Sequence, residues 1–396
     1  MKFYTPEISW HERDPIFTCD FHPTIPSKVA TAGVSGEIRL WQVLNKSPAA
    51  TNSKQKHSAE IEISFVSNLK RHTKSVNVVR WNSDGKLLAS AGDEQVIFLW
   101  NENDIKNQKT LDNEEYENKE NWFAFKTFRG HLEDILDLAW SRDSNSLISG
   151  SIDNSVIVWN VNTGSKIAIL KEPKGFVQGV VFDPLSATYA VLSTDRCLRI
   201  YSTTSNKCMH KVNRIQLPKD GELAISTRLF HDDTLKSFFR RMKYSPDGSL
   251  LFTPSGCLEL DEKCVNVSFI FTRNCYHKPC LYIPHDKPSI AVSVCPFKFE
   301  LSPKKENEQL IFDIPYRFVF AIATEDSVFL FDTQKLTPFA YITDIHYSNL
   351  SDLSWSSDAR FLMISSIDGF STFLIFKENE LGKVYVENVD TVETIA

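Results

Sequence analysis

The residue types that could do chemistry gather first at His131, Ser149 and Asp153, with Trp159 close behind. A serine, a histidine and a carboxylate are the parts of a nucleophile relay, in which the imidazole takes the hydroxyl proton and the carboxylate orients the imidazole. The same parts also make a closed structural network. An aspartate in a tight turn accepts from a histidine on the preceding loop, the histidine donates to a serine on the neighbouring strand, and the tryptophan closes the group. The structural arrangement is the expectation here, because a buried, satisfied network fixes one strand register. No G-x-x-x-x-G-K-[ST], H-E-x-x-H, G-x-S-x-G or G-x-G-x-x-G string accompanies it. No catalytic residue is therefore assigned and the chain reads as a non-enzyme. An enzyme would need a polar pocket in which titratable groups converge from several elements.

Two further clusters carry reactive types. Cys275, His277 and Cys280, with Cys264 upstream, could be bent around a metal, but their spacing fits no standard finger or ribbon. None of the eight cysteines forms a Cys-x-x-Cys pair, so all read as reduced, packed thiols of cytosol or nucleus, and neither metal nor cofactor is expected. The stretch from Phe230 to Pro254 reads FHDDTLKSFFRRMKYSPDGSLLFTP, placing His231, Asp232 and Asp233 ahead of Lys236, Phe238, Phe239, Arg240 and Arg241. In a strand, Phe239 and Arg241 share one face while Arg240 points oppositely. Two such arginines on an inner strand cannot both be solvated, so one is expected to form a buried pair with a carboxylate, with Asp232 and Asp233 as candidates. Contact with a partner is the competing reading.

Charge and composition narrow the function. Lys plus Arg is 44 against 50 Asp plus Glu, a net charge of -6, which argues against gripping nucleic acid through charge and leaves a basic protein partner open. The run Asp112 to Glu120 holds five carboxylates against Lys119, either a solvated loop or a steering device for such a partner. With 42% hydrophobic and 12% aromatic residues in 396, the chain has material for a large core and is not disordered. Met1 to Asp14 carries Pro6, Glu7, Glu12 and Asp14 where a signal peptide needs an unbroken apolar run, and no window approaches ~18 consecutive apolar residues. Neither secretion nor membrane spanning is expected.

The elements that must position these groups are strands. Apolar residues alternate at short spacing, and Ser83-Asp84-Gly85, Pro246-Asp247-Gly248 and Ser356-Ser357-Asp358 punctuate β-rich runs as hairpin turns. A six-residue pattern, apolar, two variable, apolar, variable, aromatic, closes on Phe21, Trp81, Trp140, Phe182, Tyr244 and Trp355, with a degenerate copy over Ala291 to Pro296. A second series of strands closes on Trp41, Trp100, Trp159, Tyr201, Phe271, Phe331 and Phe376. Units too small to bury their own faces must stack radially. The fold class is therefore all-β, a seven-bladed WD-repeat β-propeller over residues 1–385, with 386–396 a short tail. Gly130-His131, Ser149, Asp153 and Trp159 make the best copy of the Gly-His and Trp signature. The Trp-Asp dipeptide itself is absent, and Ser35 and Glu94 stand where the third copy has Asp153, so those turns must be held differently. Ring closure needs an outer strand for the last blade, and Pro6-Glu7-Ile8-Ser9-Trp10 is expected to supply it.

A propeller offers its loops. Lys74, Glu133, Asp134, Phe176 and Phe238 precede first strands on one face, mixing charge and aromatic character as a docking surface requires. With His231, Asp232, Asp233, Lys236, Arg240 and Arg241 they form the expected partner-binding set.

Longer strings narrow the family. SNLKRHTKSVNVVRW from Ser67, NKENW from Asn118, RGHLEDILDLAW from Arg129, the FHDD to TP stretch, YRFVFAIATEDSVFLFDTQ from Tyr316 and LSDLSWSSD from Leu350 closely resemble the WD-repeat, middle-subunit family of chromatin assembly factor one. The resemblance covers essentially the whole chain, and the related replication-independent histone regulator, which shares part of the Phe-Arg-Arg stretch, is the alternative within the same kind of propeller. It implies a nuclear, non-enzymatic scaffold bound to the large and small subunits of a chaperone that deposits new core histones during replication and repair. Core histones would be met directly or through the large subunit, with no sequence-specific nucleic acid and no membrane. Family members typically carry a basic tail motif on which the anti-silencing-factor chaperone docks, whereas Val384 to Ala396 is acidic. A propeller adaptor of another machine, such as a ubiquitin-ligase substrate receptor, is the second class.

Overall fold

The computed structural model describes residues 1–45, 61–103, 118–219, 222–260, 263–303, 310–335 and 337–386, and among these no α-helix occurs. Seven antiparallel four-stranded sheets form the blades of a closed propeller. Each hairpin turn named above returns the chain beside itself, so in six of the seven blades strand order follows the sequence from the channel outward. Blade 3 shows the unit: Ile135–Trp140, Ser146–Ser151, Val156–Asn160 and Lys166–Leu170. The inner strands of the other blades are Ile16–Phe21, Val76–Trp81, Val177–Phe182, Lys243–Tyr244, Ser289–Glu300 and Leu350–Trp355. Apolar residues from adjacent sheets make the core between blades. Phe361 and Phe373 of blade 7, for example, pack with Phe21, Val29 and Trp41 of blade 1. Each such interface removes apolar surface that a lone blade would leave wet.

In six blades the pairing of inner and second strands slips at the same place, as between Ile135 and Asp137 or Leu350 and Asp352. Such a bulge bends the strand and re-aims its side chains. In blade 6 the slip falls between Ser289 and Ala291, so the pattern begins at Ser289 and Val294, rather than Pro296, stands where other blades have an aromatic. Blade 5 departs most. Only Lys243–Tyr244 pairs as an inner strand, and Phe239 to Met242 runs irregularly beside blade 4, with Arg240 N donating to Gln178 O at 3.0 Å. Gly179 permits this approach, since a Cβ there would stand 2.0 Å from Arg240 O.

The ring closes through the amino terminus, by a different segment from the one expected. Lys2–Tyr4 pairs with Ser371–Ile375 and supplies the outer strand of blade 7. The stretch Pro6 to Trp10 is drawn inward: Pro6 has no amide proton to give a ladder, and Trp10 is fully buried, 4.9 Å from Trp41 and 6.0 Å from Phe373. Between blades 4 and 5 an additional hairpin pairs Arg214–Lys219 with Glu222–Arg228.

Candidate interaction face

Four buried histidines latch the loops of one face, here called the upper face. His131 Nδ1 meets Asp153 Oδ2 at 3.0 Å, its Nε2 meets Ser149 Oγ at 2.7 Å, and Trp159 Nε1 donates to the same hydroxyl at 2.9 Å. Burial opposes ionisation of Asp153, but hydrogen bonds from His131, Ser155 and the Leu132 amide hold its carboxyl well below the usual range. His346 repeats the arrangement with Asp368 at 3.0 Å and Thr372 at 3.0 Å. His72 meets Ser90 at 2.7 Å, where Trp100 also donates, while Glu94 accepts from the Lys74 amide at 2.9 Å. In blade 1, His11 bonds Ser35 at 3.0 Å and Thr31 at 2.9 Å. Burial pushes the His11 imidazole down to about 3, aided by Arg39, and that of His72 down to about 4 against the pull of Glu94. Sequence reasoning found only the latch at His131. The offset from histidine to turn acid, 22 residues in both the His131 and His346 copies, was the signal that could have found His346.

Two of these latches, at His72 and His131, set the loops bearing Lys74 and Glu133–Asp134. Lys74, Glu133, Phe176, Asp233, Lys236 and Phe238 are exposed, and Asp134, His231 and Asp232 are half-buried. Asp134 lies close enough to Asp93 and Glu133 that burial and these two carboxylates raise its pKa, against the nearby Lys74 ammonium. The result is an acidic patch on blades 2 and 3. Apolar side chains stand out around the same face: Leu132, Phe176, Phe238 and Tyr347, the last two 66% and 102% exposed. Leu132 and Tyr347 each follow a latch histidine directly, and neither was singled out from the sequence.

Arg240 and Arg241 lie beneath this face rather than on it, at 0% and 3% exposure. The expected buried pair with a carboxylate is formed by Arg241, but with Asp352 rather than with Asp232 or Asp233. Arg240 donates instead to the backbone carbonyls of His231 and Asp232, pinning the loop that carries the exposed Lys236 and Phe238. Burial lowers its pKa to about 10, against the pull of Asp232. Arg241 pairs with Asp352 of blade 7 and donates to Asn77 O of blade 2 at 2.8 Å, with Phe239 under its guanidinium at 4.3 Å. The irregular path of Phe239 to Met242 turns both arginines toward these buried partners.

Asp352 is the centre of a charged network across the channel. Arg80 Nη1 reaches it at 3.0 Å, Thr18 Oγ1 donates at 3.0 Å and the Cys19 amide at 3.2 Å. Arg80 Nη2 also approaches Asp137 at 3.9 Å, and Asp137 accepts from the Val180 amide at 2.9 Å. Burial would raise the Asp352 carboxyl, but Arg241 and Arg80 outweigh it and hold the group below its usual range. Burial wins at Asp20 and Asp137, whose pKa values rise despite Arg80. A cavity of about 430 Å³ opens below this network, lined by Asp20, Arg80, Lys243 and the indoles of Trp81, Trp140 and Trp355. Titratable groups thus do converge here, but the three carboxylates face three cations. The arrangement ties blades together, and burial and Asp352 raise the Cys19 thiol well above its usual range.

The cysteine expectation also needs correction. Cys257 and Cys264 are joined as a disulfide across the blade 5 hairpin, because its register brings their Cα atoms within 6.0 Å. Cys275 Sγ stays 3.5 Å from His277 Nδ1, whereas Cys280 turns away to Ile270 O. The acidic run Asp112 to Glu117 and the tail from residue 387 onward lie outside the described residues.

A family model described as the CAF1B/HIR1 beta-propeller domain matches residues 1–381. The chain belongs to this family. It is 46% identical to a chromatin assembly factor 1 subunit of Mus musculus over 400 residues, covering 96% of this chain and 68% of that protein. With the like-named chromatin assembly factor 1 subunit of Saccharomyces cerevisiae the identity is 32% over 429 residues, covering 98% and 90%. Protein HIR1 of Kluyveromyces lactis is more distant, 27% identical and covered over 42% of its length. The family member described here is therefore of the chromatin-assembly-factor kind, a histone chaperone subunit with a chromatin-associated, nuclear role, and the HIR1 alternative is not favoured.

Proposed function

We propose that this propeller is the rigid, non-enzymatic docking subunit of its chromatin assembly factor, and that its upper face from Lys74 to Phe238 receives the large subunit. The observation that carries the reading is the exposure of Leu132, Phe176, Phe238 and Tyr347 on loops held respectively by His131, Asp195, Arg240 and His346. Aromatic anchors on preorganised loops are the material of binding hot spots, and a surface already ordered leaves most of the ordering cost to a flexible partner segment. The acidic patch of Asp93, Glu133 and Asp134 suits the basic surface of core histones, met directly or beside the large subunit. The small subunit completes the complex. The anti-silencing-factor chaperone, the remaining expected partner, would dock on a tail beyond the described residues.

The test is co-purification with the large subunit, using Phe176→Ser with Phe238→Ser, and separately Lys236→Glu. Loss of two aromatic anchors should weaken the complex by roughly 30–1000-fold, at about 1–2 kcal/mol each, with the melting temperature unchanged because both rings are exposed. Full retention of binding by the folded double variant would place the contact on another face. Arg240→Glu and Arg241→Glu are unsuitable probes, since both side chains are internal.

A further inference from the structure

At the base of the additional hairpin, Arg214 and Arg228 stand directly opposite one another across the two strands. Like charges in that position repel, and natural hairpins rarely keep them without compensation. Neither has a carboxylate partner among the described residues: Arg214 reaches only Ser226 Oγ, at 3.5 Å, and both side chains are exposed. Arg196, from the turn between the second and third strands of blade 4, converges on the same place. The three arginines, with Asn213 and Asp195, line a notch of about 240 Å³.

The acids nearby are already engaged. Burial opposes ionisation of Asp195, but Arg199, the Ser193 hydroxyl and the Lys174 amide hold it ionised and saturated. Glu259 accepts from Arg196 at 2.6 Å, and Asp232 lies 3.9 Å from the same guanidinium. Among the described residues positive charge is left over at Arg214 and Arg228, with Asn213 at hand as a neutral hydrogen-bonding group.

We propose that this notch is an anion-binding site for carboxylate side chains of an acidic protein segment. Guanidinium forks match carboxylates bidentately, and two opposed arginines offer donors from both walls. An extended segment would run along the rim beside the loop that Arg240 pins, leaving the acidic patch of blades 2 and 3 free for basic surfaces. The site stands on these side chains alone and is independent of which protein supplies the segment.

The test measures fluorescence anisotropy of the full chain with a labelled glutamate- and aspartate-rich peptide, a phosphoserine peptide of equal charge and a lysine-rich peptide. The acidic peptide should bind, and binding should weaken between 50 and 200 mM salt. Arg214→Glu and Arg228→Glu should each lower its affinity at least tenfold, while Lys207→Glu, the same charge change at an exposed site on blade 4, should alter it less than twofold. Arg228→Lys, which keeps the charge but not the bidentate fork, should fall between the wild type and Arg228→Glu. A merely structural pair would lose melting temperature on substitution. Here Arg214→Glu turns a repulsive cross-strand pair into an attractive one, so melting temperature should hold or rise as binding falls. Equal losses in the Arg214 and Lys207 variants, no binding of the acidic peptide, or binding of the phosphoserine peptide alone would each overturn the assignment.

Discussion

Replacing Asp352 by alanine is expected to destabilise the propeller by about 3–5 kcal/mol, the scale for removing one partner of a buried ion pair. The carboxylate is 2% exposed and serves Arg241 from blade 5, Arg80 from blade 2 and the Thr18 hydroxyl and Cys19 amide from blade 1. Without it two guanidiniums stay in the channel wall facing only Asp137 and Asp20. Arg241→Met should be milder, because Arg80 still compensates Asp352, and the loss falls on the Asn77 carbonyl and the contact with Phe239. Urea unfolding of the two variants measures the difference. An Asp352→Ala protein within about 1 kcal/mol of wild type would show that water, not the network, solvates these arginines.

Mild acid should destabilise the fold before the central carboxylate of the network, Asp352, is protonated. His11 is held down to about 3, and His72 and His285 to about 4, chiefly by burial. Their pKa values in the unfolded chain are near 6.5, so below that pH the unfolded state takes up protons that the folded state refuses. Each such group removes about 1.4 kcal/mol per pH unit until its folded value is reached. Three together remove roughly 4 kcal/mol per unit, or about 6 kcal/mol between pH 6.5 and 5. Asp352 and Glu94, both lowered, add their losses only as pH falls below about 4. Asp20 and Asp137, both raised, act in the opposite sense, since the folded state then binds protons ahead of the unfolded one. Melting curves from pH 7.5 to 5 should fall steeply in this window, and His285→Gln should flatten the slope by about a third. A melting temperature constant over that range would contradict the burial of these imidazoles.

The inner strands were legible because their pattern is written in apolar and aromatic residues, which must face the gaps between blades. What those strands position was not. Asp137 and Asp352 occupy the third place of the pattern and Asp20, Arg80 and Lys243 the fifth, places read as variable from sequence. With a period of two these fall on one side of the strand, so charges there on an otherwise buried strand were the available sign of a channel network. Pairing Arg241 with Asp352 was beyond sequence reasoning, since the partners come from blades 5 and 7 and meet only when the ring closes. Closure itself was foreseen, yet assigned to Pro6–Trp10, because alternation alone does not distinguish an edge strand from a segment whose tryptophan is drawn into the core. The latches at His11 and His72 were missed for a similar reason: a turn serine or glutamate replaces the aspartate that marks the signature.

Hydrogen exchange of this chain, alone and bound to the large subunit, tests the central claim most directly. The upper-face account predicts new protection at Leu132 to Asp134, around Phe176 and from His231 to Phe238, with the lower cavity around Trp81, Trp140 and Trp355 unchanged. Protection confined to that lower cavity, or to the outer strands, with the upper loops exchanging as in the free protein, would contradict it.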